Sequence, residues 1–206
     1  MKNIVLFLSA ACLLSTPIFG QQQENRFAEI TDPQLLSINK LPPHASFTSY
    51  VDETSALNKD KANGSFYLPL NGTWKFHYTE KFKERPTNFM EPNFNTADWK
   101  EIKVPGNWEL QGFGTYQYGI TFYGKAFPEG IADEKGMYKY EFEVPEKFRG
   151  QQVSLVFEAS MTDTEVKVNG RKVGSKHQGA FYRFSYNVTD FLKYGKKNLL
   201  EVTVSK

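Results

Sequence analysis

Glu165-Val166-Lys167-Val168-Asn169-Gly170-Arg171-Lys172-Val173 carries the reading of the fold. Charged and apolar side chains alternate through Val168, and a period of two places one set on a buried face and the other on a polar face of a strand. Asn169-Gly170 then tolerates the positive φ angles of a two-residue turn whose twist matches a pair of antiparallel strands. The stretch predicts a β-hairpin.

Outward from the hairpin the same period recurs. Thr73 to Tyr78, Met137 to Val144 and Val153 to Phe157 alternate on the amino-terminal side. Tyr182 to Val188 and Asn198 to Val204 do so on the carboxy-terminal side. Between these last two, Thr189-Asp190-Phe191-Leu192-Lys193-Tyr194-Gly195 predicts a helical turn that opens at a cap and stops at glycine. Short strands separated by turn residues, with no ten-residue helical stripe, indicate an all-β antiparallel sandwich. Its expected core consists of the apolar members of the alternating runs: Trp74, Phe76, Tyr138, Phe142, Leu155, Phe157, Val166, Val168, Phe184, Leu200 and Val202. Val104-Pro105-Gly106-Asn107-Trp108-Glu109-Leu110-Gln111-Gly112-Phe113-Gly114 breaks the pattern and predicts a long connecting or functional loop.

Three segments organise the chain. Residues 1–20 predict an export signal, with Lys2 as the positive start and the apolar run Ile4 to Leu14 too short to span a bilayer. Cleavage is expected after Gly20, where the polar run Gln21-Gln22-Gln23 begins, although Ile18 fits a cleavage box imperfectly. Residues 21–65 are polar and irregular, and Leu41-Pro42-Pro43-His44 predicts an extended arm wrapping the domain at 66–206. Asn71-Gly72 predicts a turn between two strands, and Asn187 the close of a strand, which argues against glycan attachment at those two of the three Asn-x-Ser/Thr positions, Asn63 being the third.

The 206 residues carry 25 Lys plus Arg against 23 Asp plus Glu, a net charge of +2 that provides no field for gripping a phosphate backbone, so nucleic acid is not an expected partner. The single cysteine, Cys12, lies inside the apolar run. Ser9-Ala10-Ala11 before it could pass for a lipid-attachment box, but Leu13 and Leu14 continue the run, so a cysteine-free mature chain without a membrane anchor is expected. His44, His77 and His177 are too widely spaced for a zinc box and are expected as surface or satisfied core histidines. Glu109, Asp163 and Glu165 lie nearest to interesting loops, but nothing in their spacing pairs them as acid and nucleophile, and each is expected to be a solvated surface charge. Ser160 lacks the glycine framing of a nucleophile elbow.

Three separated motifs together resemble one family. Leu70-Asn71-Gly72-Thr73-Trp74-Lys75-Phe76, Val104 to Phe113, and Val168-Asn169-Gly170-Arg171-Lys172-Val173-Gly174 are similar to the amino-terminal jelly-roll, sugar-binding domain of glycoside hydrolase family 2. Asn39-Lys40-Leu41-Pro42-Pro43-His44 and the Asn-Trp form of the loop resemble the LacZ-type β-galactosidases, which more often have Arg where Lys40 stands. The resemblance implies a galactose-binding-like jelly roll that precedes an immunoglobulin-like domain and a TIM barrel holding both catalytic glutamates. It therefore implies no catalytic residue in this stretch and no cofactor held by it, the family's magnesium and sodium sites lying outside it. The implied partners are a β-galactoside or other glycan and the remaining domains of the enzyme, and the implied location is periplasmic or secreted. The family's sugar-contacting asparagine corresponds to Asn107, with Trp108 beside it as a core or domain-interface anchor. A free-standing carbohydrate-binding or interaction module without a barrel is the competing expectation.

Overall fold

A computed structural model describes residues 32–35, 37–45, 47–61, 66–114 and 134–206. The expected signal at 1–20 and the first part of the arm lie outside these residues. Pro33–Lys206 forms one compact unit.

Regular structure among the described residues is mostly sheet, with almost no helix. Its strands are β1 (Gly72–Thr79), β2 (Lys100–Val104), β3 (Lys135–Glu143), β4 (Ser154–Phe157), β5 (Asp163–Val168), β6 (Arg171–Lys172), β7 (His177–Gln178), β8 (Phe184–Asn187) and β9 (Lys197–Ser205). The larger sheet runs β2-β1-β3-β9-β5-β6, with β7 also paired to β5, and the smaller sheet is β4-β8. Every ladder between these strands is antiparallel. At the β5–β6 corner Asn169 has φ 53° and Gly170 φ 77°, the positive pair that a two-residue hairpin turn demands.

The two sheets close face to face. Phe184 of β8 stacks on His177 of β7 with ring centroids 3.7 Å apart, and Tyr186 of β8 donates its hydroxyl to the Ser175 carbonyl at 2.7 Å. Every expected core side chain lies in this interface: Trp74, Phe76, Val166, Val168, Phe184, Leu200 and Val202 are buried, and Tyr138, Phe142, Leu155 and Phe157 pack against them partly exposed.

The opposite face of the larger sheet holds a second cluster absent from the expected core. Phe89, Met90 and Trp99, from the connection between β1 and β2, cover Met137 of β3, with Phe94 at the margin. Beside them Lys139 and Glu201 form an ion pair at 3.3 Å, with side chains 5% and 0% exposed. Lys139 also donates to the Glu91 carbonyl at 2.6 Å, and Glu201 accepts from the Gly170 amide at 3.1 Å. Burial pushes the Glu201 carboxyl above its ordinary pKa against the pull of Lys139. Burial also pushes Lys135 down to about 8, assisted by the positive charges of Arg85 and Lys176.

The arm is more ordered than its sequence predicts. Lys40 bridges Tyr186, Leu41 donates its amide to Ser185, and Asn39 donates its carboxamide to the Asn187 carbonyl, so residues 39–41 extend the edge of β8. Farther along, α1 (Glu53–Leu57) is a single turn capped by Asp52, whose carboxylate accepts from the Ser55 amide at 2.7 Å. The expected helical turn at 189–195 is a shorter 3-10 turn, Thr189–Phe191, whose N-cap Val188 makes no side-chain cap hydrogen bond; one residue earlier, Asn187 accepts from both the amide and the hydroxyl of Thr189. Gly72 opens β1 after a non-strand approach, so Asn71-Gly72 is not a turn between two strands.

Candidate functional site

The loop that follows β2 is held at both ends and presents one polar side chain. Trp108 is its anchor. The indole is 5% exposed, lies among Phe76 and Tyr78 with centroids 6.1 and 5.9 Å away, and rests on Gly136 of β3. A Cβ at Gly136 would lie 2.4 Å from Trp108 Cζ3, so only glycine leaves room for the indole.

After Trp108, the single 3-10 turn Glu109–Gln111 ends at Gly112, whose φ of 86° suits glycine and whose amide donates to the Glu109 carbonyl at 3.3 Å. The turn aims Gln111 back at β2. Its Oε1 accepts from the Lys103 amide at 2.8 Å, and its Nε2 donates to the Lys103 carbonyl at 3.0 Å and to the Asn107 carbonyl at 3.4 Å. The side-chain amide thus pairs with the open edge of β2 much as another strand would, and ties the backbone of Asn107 to it. A Cβ at Gly106 would sit 2.6 Å from Gln111 Nε2, so glycine is needed for this clamp.

Asn107 is exposed, and its carboxamide makes no hydrogen bond among the described residues. A carboxamide offers a donor and an acceptor on one plane, so it can read two adjacent hydroxyls without bringing charge.

Glu109 is not a solvated charge. Lys206 reaches its carboxylate and lies 3.0 Å from Glu134 Oε2, with the ammonium 5.3 Å from the Trp108 ring centroid. Against the desolvation that burial imposes, the Lys206 ammonium holds the Glu109 carboxyl below its ordinary range, and the two carboxylates in turn raise Lys206 against its own desolvation. Burial, and then Glu134, raise the Tyr78 phenol in the same cluster. Asp163 and Glu165 are likewise engaged, both facing Lys176 at 3.4 and 3.9 Å.

Ser160 hydrogen-bonds Thr164 at 2.6 Å, with no histidine paired to it. His44 is exposed and bonds the Ala45 carbonyl, while His77 stacks on Trp99. His177 departs from the expectation of a satisfied histidine, because its buried Nε2 has no hydrogen-bond partner among the described residues. No three His, Cys, Asp or Glu side chains among the described residues come together to hold a metal ion.

Of the loop residues the sequence singled out, Asn107 is exposed and Trp108 is buried as an anchor, while Gln111 and the Lys206 pairs were not foreseen. Gln111 carries no periodic or motif signal of its own, and Lys206 meets Glu109 only through the ladder of β9.

Comparison with known proteins agrees with this architecture. Residues 68–206 match the family described as "Glycosyl hydrolases family 2, sugar binding domain". A β-galactosidase of Lactobacillus delbrueckii subsp. bulgaricus is 33% identical over 186 residues, covering 87% of this chain and 18% of that protein. A β-galactosidase large subunit of Leuconostoc lactis is 28% identical over 197 residues, covering 86% of this chain and 30% of that protein. Among solved structures, a Bifidobacterium dentium β-glucuronidase complexed with coumarin-3-O-glucuronide superposes with a TM-score of 0.50 at 26% identity, over 66% of this chain and 19% of that one. The chain spans less than a third of the length of each of these relatives.

Proposed function

The chain belongs to glycosyl hydrolase family 2 through the sugar-binding domain at residues 68–206, and on that premise we propose that it is the amino-terminal domain of an exported β-galactosidase. The parent reaction is hydrolysis of terminal β-galactosides with retention. The observation that carries this reading is Asn107: an exposed carboxamide with no hydrogen-bond partner among the described residues, on a loop anchored by Trp108 and Gln111. The loop backbone is positioned in advance through the Asn107 carbonyl, and the carboxamide adds no charge near an oxocarbenium-like transition state. The names of the sequence relatives support galactose over glucuronate, and the charged start, apolar run and polar sequel of residues 1–23 support export.

Retaining hydrolysis needs an acid and a nucleophile about 5 Å apart. The family resemblance implies that both catalytic glutamates belong to a barrel distinct from this domain, and Glu109, Asp163 and Glu165 are each paired with a lysine, so we expect the 206-residue chain to turn over no β-galactoside by itself.

Three measurements test the proposal. The purified chain, assayed with a chromogenic β-galactoside, should not exceed a buffer blank; turnover that follows the protein through chromatography would overturn its non-catalytic role. Joined to the remaining domains, it should cleave the β-galactoside faster than the matching β-glucuronide, and Asn107→Ala should lower kcat/KM by about tenfold to a hundredfold, the loss of one or two hydrogen bonds. The reverse preference would replace the sugar. Mass spectrometry of the exported protein should find an amino terminus near Gln21, and intact Met1 alone would remove the export signal.

A further inference from the structure

Gln111 does more for the loop after β2 than close a turn. In an antiparallel strand the amide and carbonyl of one residue point to the same side, and those of Lys103 both meet the Gln111 carboxamide, at 2.8 and 3.0 Å. The pairing admits one orientation. The Lys103 amide needs an acceptor and its carbonyl a donor, so Oε1 and Nε2 cannot exchange places, and Nε2 has a second hydrogen left for the Asn107 carbonyl at 3.4 Å. A carboxylate of the same shape could serve the Lys103 amide, but it would set an oxygen against two carbonyls.

Pro105, Gly106 and Asn107 lie between this clamp and the buried indole of Trp108. Pro105 has no amide hydrogen to give, and among the described residues no other hydrogen bond reaches the backbone of 105–107. The anchoring is therefore uneven: Trp108 is fixed by burial, whereas the three residues before it are tied down through one side chain. Gly106 leaves the space for that side chain, since a Cβ there would lie 2.6 Å from Gln111 Nε2 and 2.9 Å from the Lys103 carbonyl oxygen.

We propose that Gln111 is the positioning residue of the sugar site: through Lys103 and the Asn107 carbonyl it holds the backbone from which the Asn107 carboxamide meets the sugar, without touching the sugar itself. This role rests on the reading of Asn107 as the sugar contact. Without the clamp, residues 105–107 gain backbone freedom that is lost again each time a glycoside is held in its reactive geometry, so the damage falls on kcat/KM.

Two readouts test it. In the 206-residue chain, NMR relaxation of the backbone amides should show Gln111→Ala increasing motion at Gly106 and Asn107 while Trp108 and β1 keep the parent's values. Gln111→Glu keeps the size and the acceptor but loses the donor, and should loosen the same residues. In the chain joined to the remaining domains, either Gln111 variant should lower kcat/KM for a chromogenic β-galactoside by about threefold to tenfold. Combined with Asn107→Ala, Gln111→Ala should cost no more than about a further twofold, because a residue that acts through Asn107 has nothing left to position. If Gln111→Ala does not fold, Gln111→Glu carries both readouts. Unchanged motion at Gly106 and Asn107 in the Gln111 variants, or losses that multiply in the double variant as for a residue serving stability alone, would overturn the proposal. Fully active Gln111 variants beside a damaged Asn107→Ala would overturn it by itself, whereas a fully active Asn107→Ala would overturn the reading of Asn107 and the sugar role of Gln111 together.

Discussion

The two faces of the larger sheet bury comparable side chains by different means. On the face toward β4 and β8, the apolar members of β1, β5 and β9 meet the apolar members of another sheet. On the other face, Met137 is covered by Phe89, Met90 and Trp99 from a connection that contains no strand, and the strands contribute Lys139 and Glu201 as a buried ion pair. The first face needs only alternation, since one period-two pattern packs against another. The second needs specific partners, because a charge removed from water is tolerated only when paired and hydrogen-bonded. An apolar stripe thus identifies a core, while a charged stripe on the reverse of the same strands does not identify a surface.

The sharpest way to break the comparison is to empty one position on each face. Phe76→Ala should cost about 3–5 kcal/mol in urea unfolding, since Phe76 is 1% exposed and contacts Trp108, Phe113 and Tyr138. Glu201→Leu should cost about 3 kcal/mol by leaving Lys139 charged and buried without its partner, whereas adding Lys139→Met should recover stability to within about 1 kcal/mol of the starting protein. A double variant no better than the single would mean that the pair is held for its geometry, through the Gly170 amide and the Glu91 carbonyl.

Lys135 sharpens the same contrast through pH. Below pH 8 the folded and unfolded states both bind its proton, and the fold carries the full cost of burying the charge. Between the folded value of about 8 and the unfolded value of 10.5, the folded state has released a proton that the unfolded chain keeps, so stability rises with pH. Lys135→Met should therefore be more stable than the parent at neutral pH by about 1–3 kcal/mol, and the difference should shrink toward about pH 10. A constant difference across that range would show that the lysine titrates normally. The smallest effect belongs to the open surface: Glu146→Ala removes an i,i+3 pair with Arg149 in which both side chains are 61% exposed, and its melting temperature should match the parent's.

The hairpin at Glu165 to Val173 was legible because its geometry is local. The φ angles of Asn169 and Gly170 follow from their own covalent structure, and alternation follows from the pleat. What Asn169 does next was not legible: its carboxamide donates to the Phe191 carbonyl and to Asn198 Oδ1, and accepts from the Leu199 amide. In the same way β2 reads as Lys-Glu-Ile-Lys-Val, with Ile102 buried at its centre, yet it is too short and charged to stand out beside the Pro-Gly that follows. β7 is only two residues, and it is a strand because β5 lies beside it.

At the candidate site the division is similar. Asn107 and Trp108 stand out by residue type, next to Pro-Gly in a stretch that breaks every periodic pattern. Their geometry comes from groups far away in the chain: Gly136 leaves space for the indole, and Lys206 neutralises Glu109. Strand alternation and the hairpin turn are short-range properties of neighbouring residues, so the order of amino acids was sufficient to state them, whereas the choice of Asn107 came from the family resemblance. The cover over Met137, the pairing of Lys139 with Glu201 and the Gln111 clamp each depend on segments meeting across the fold. No local rule encodes those meetings, because their free energy exists only once both partners have left water together.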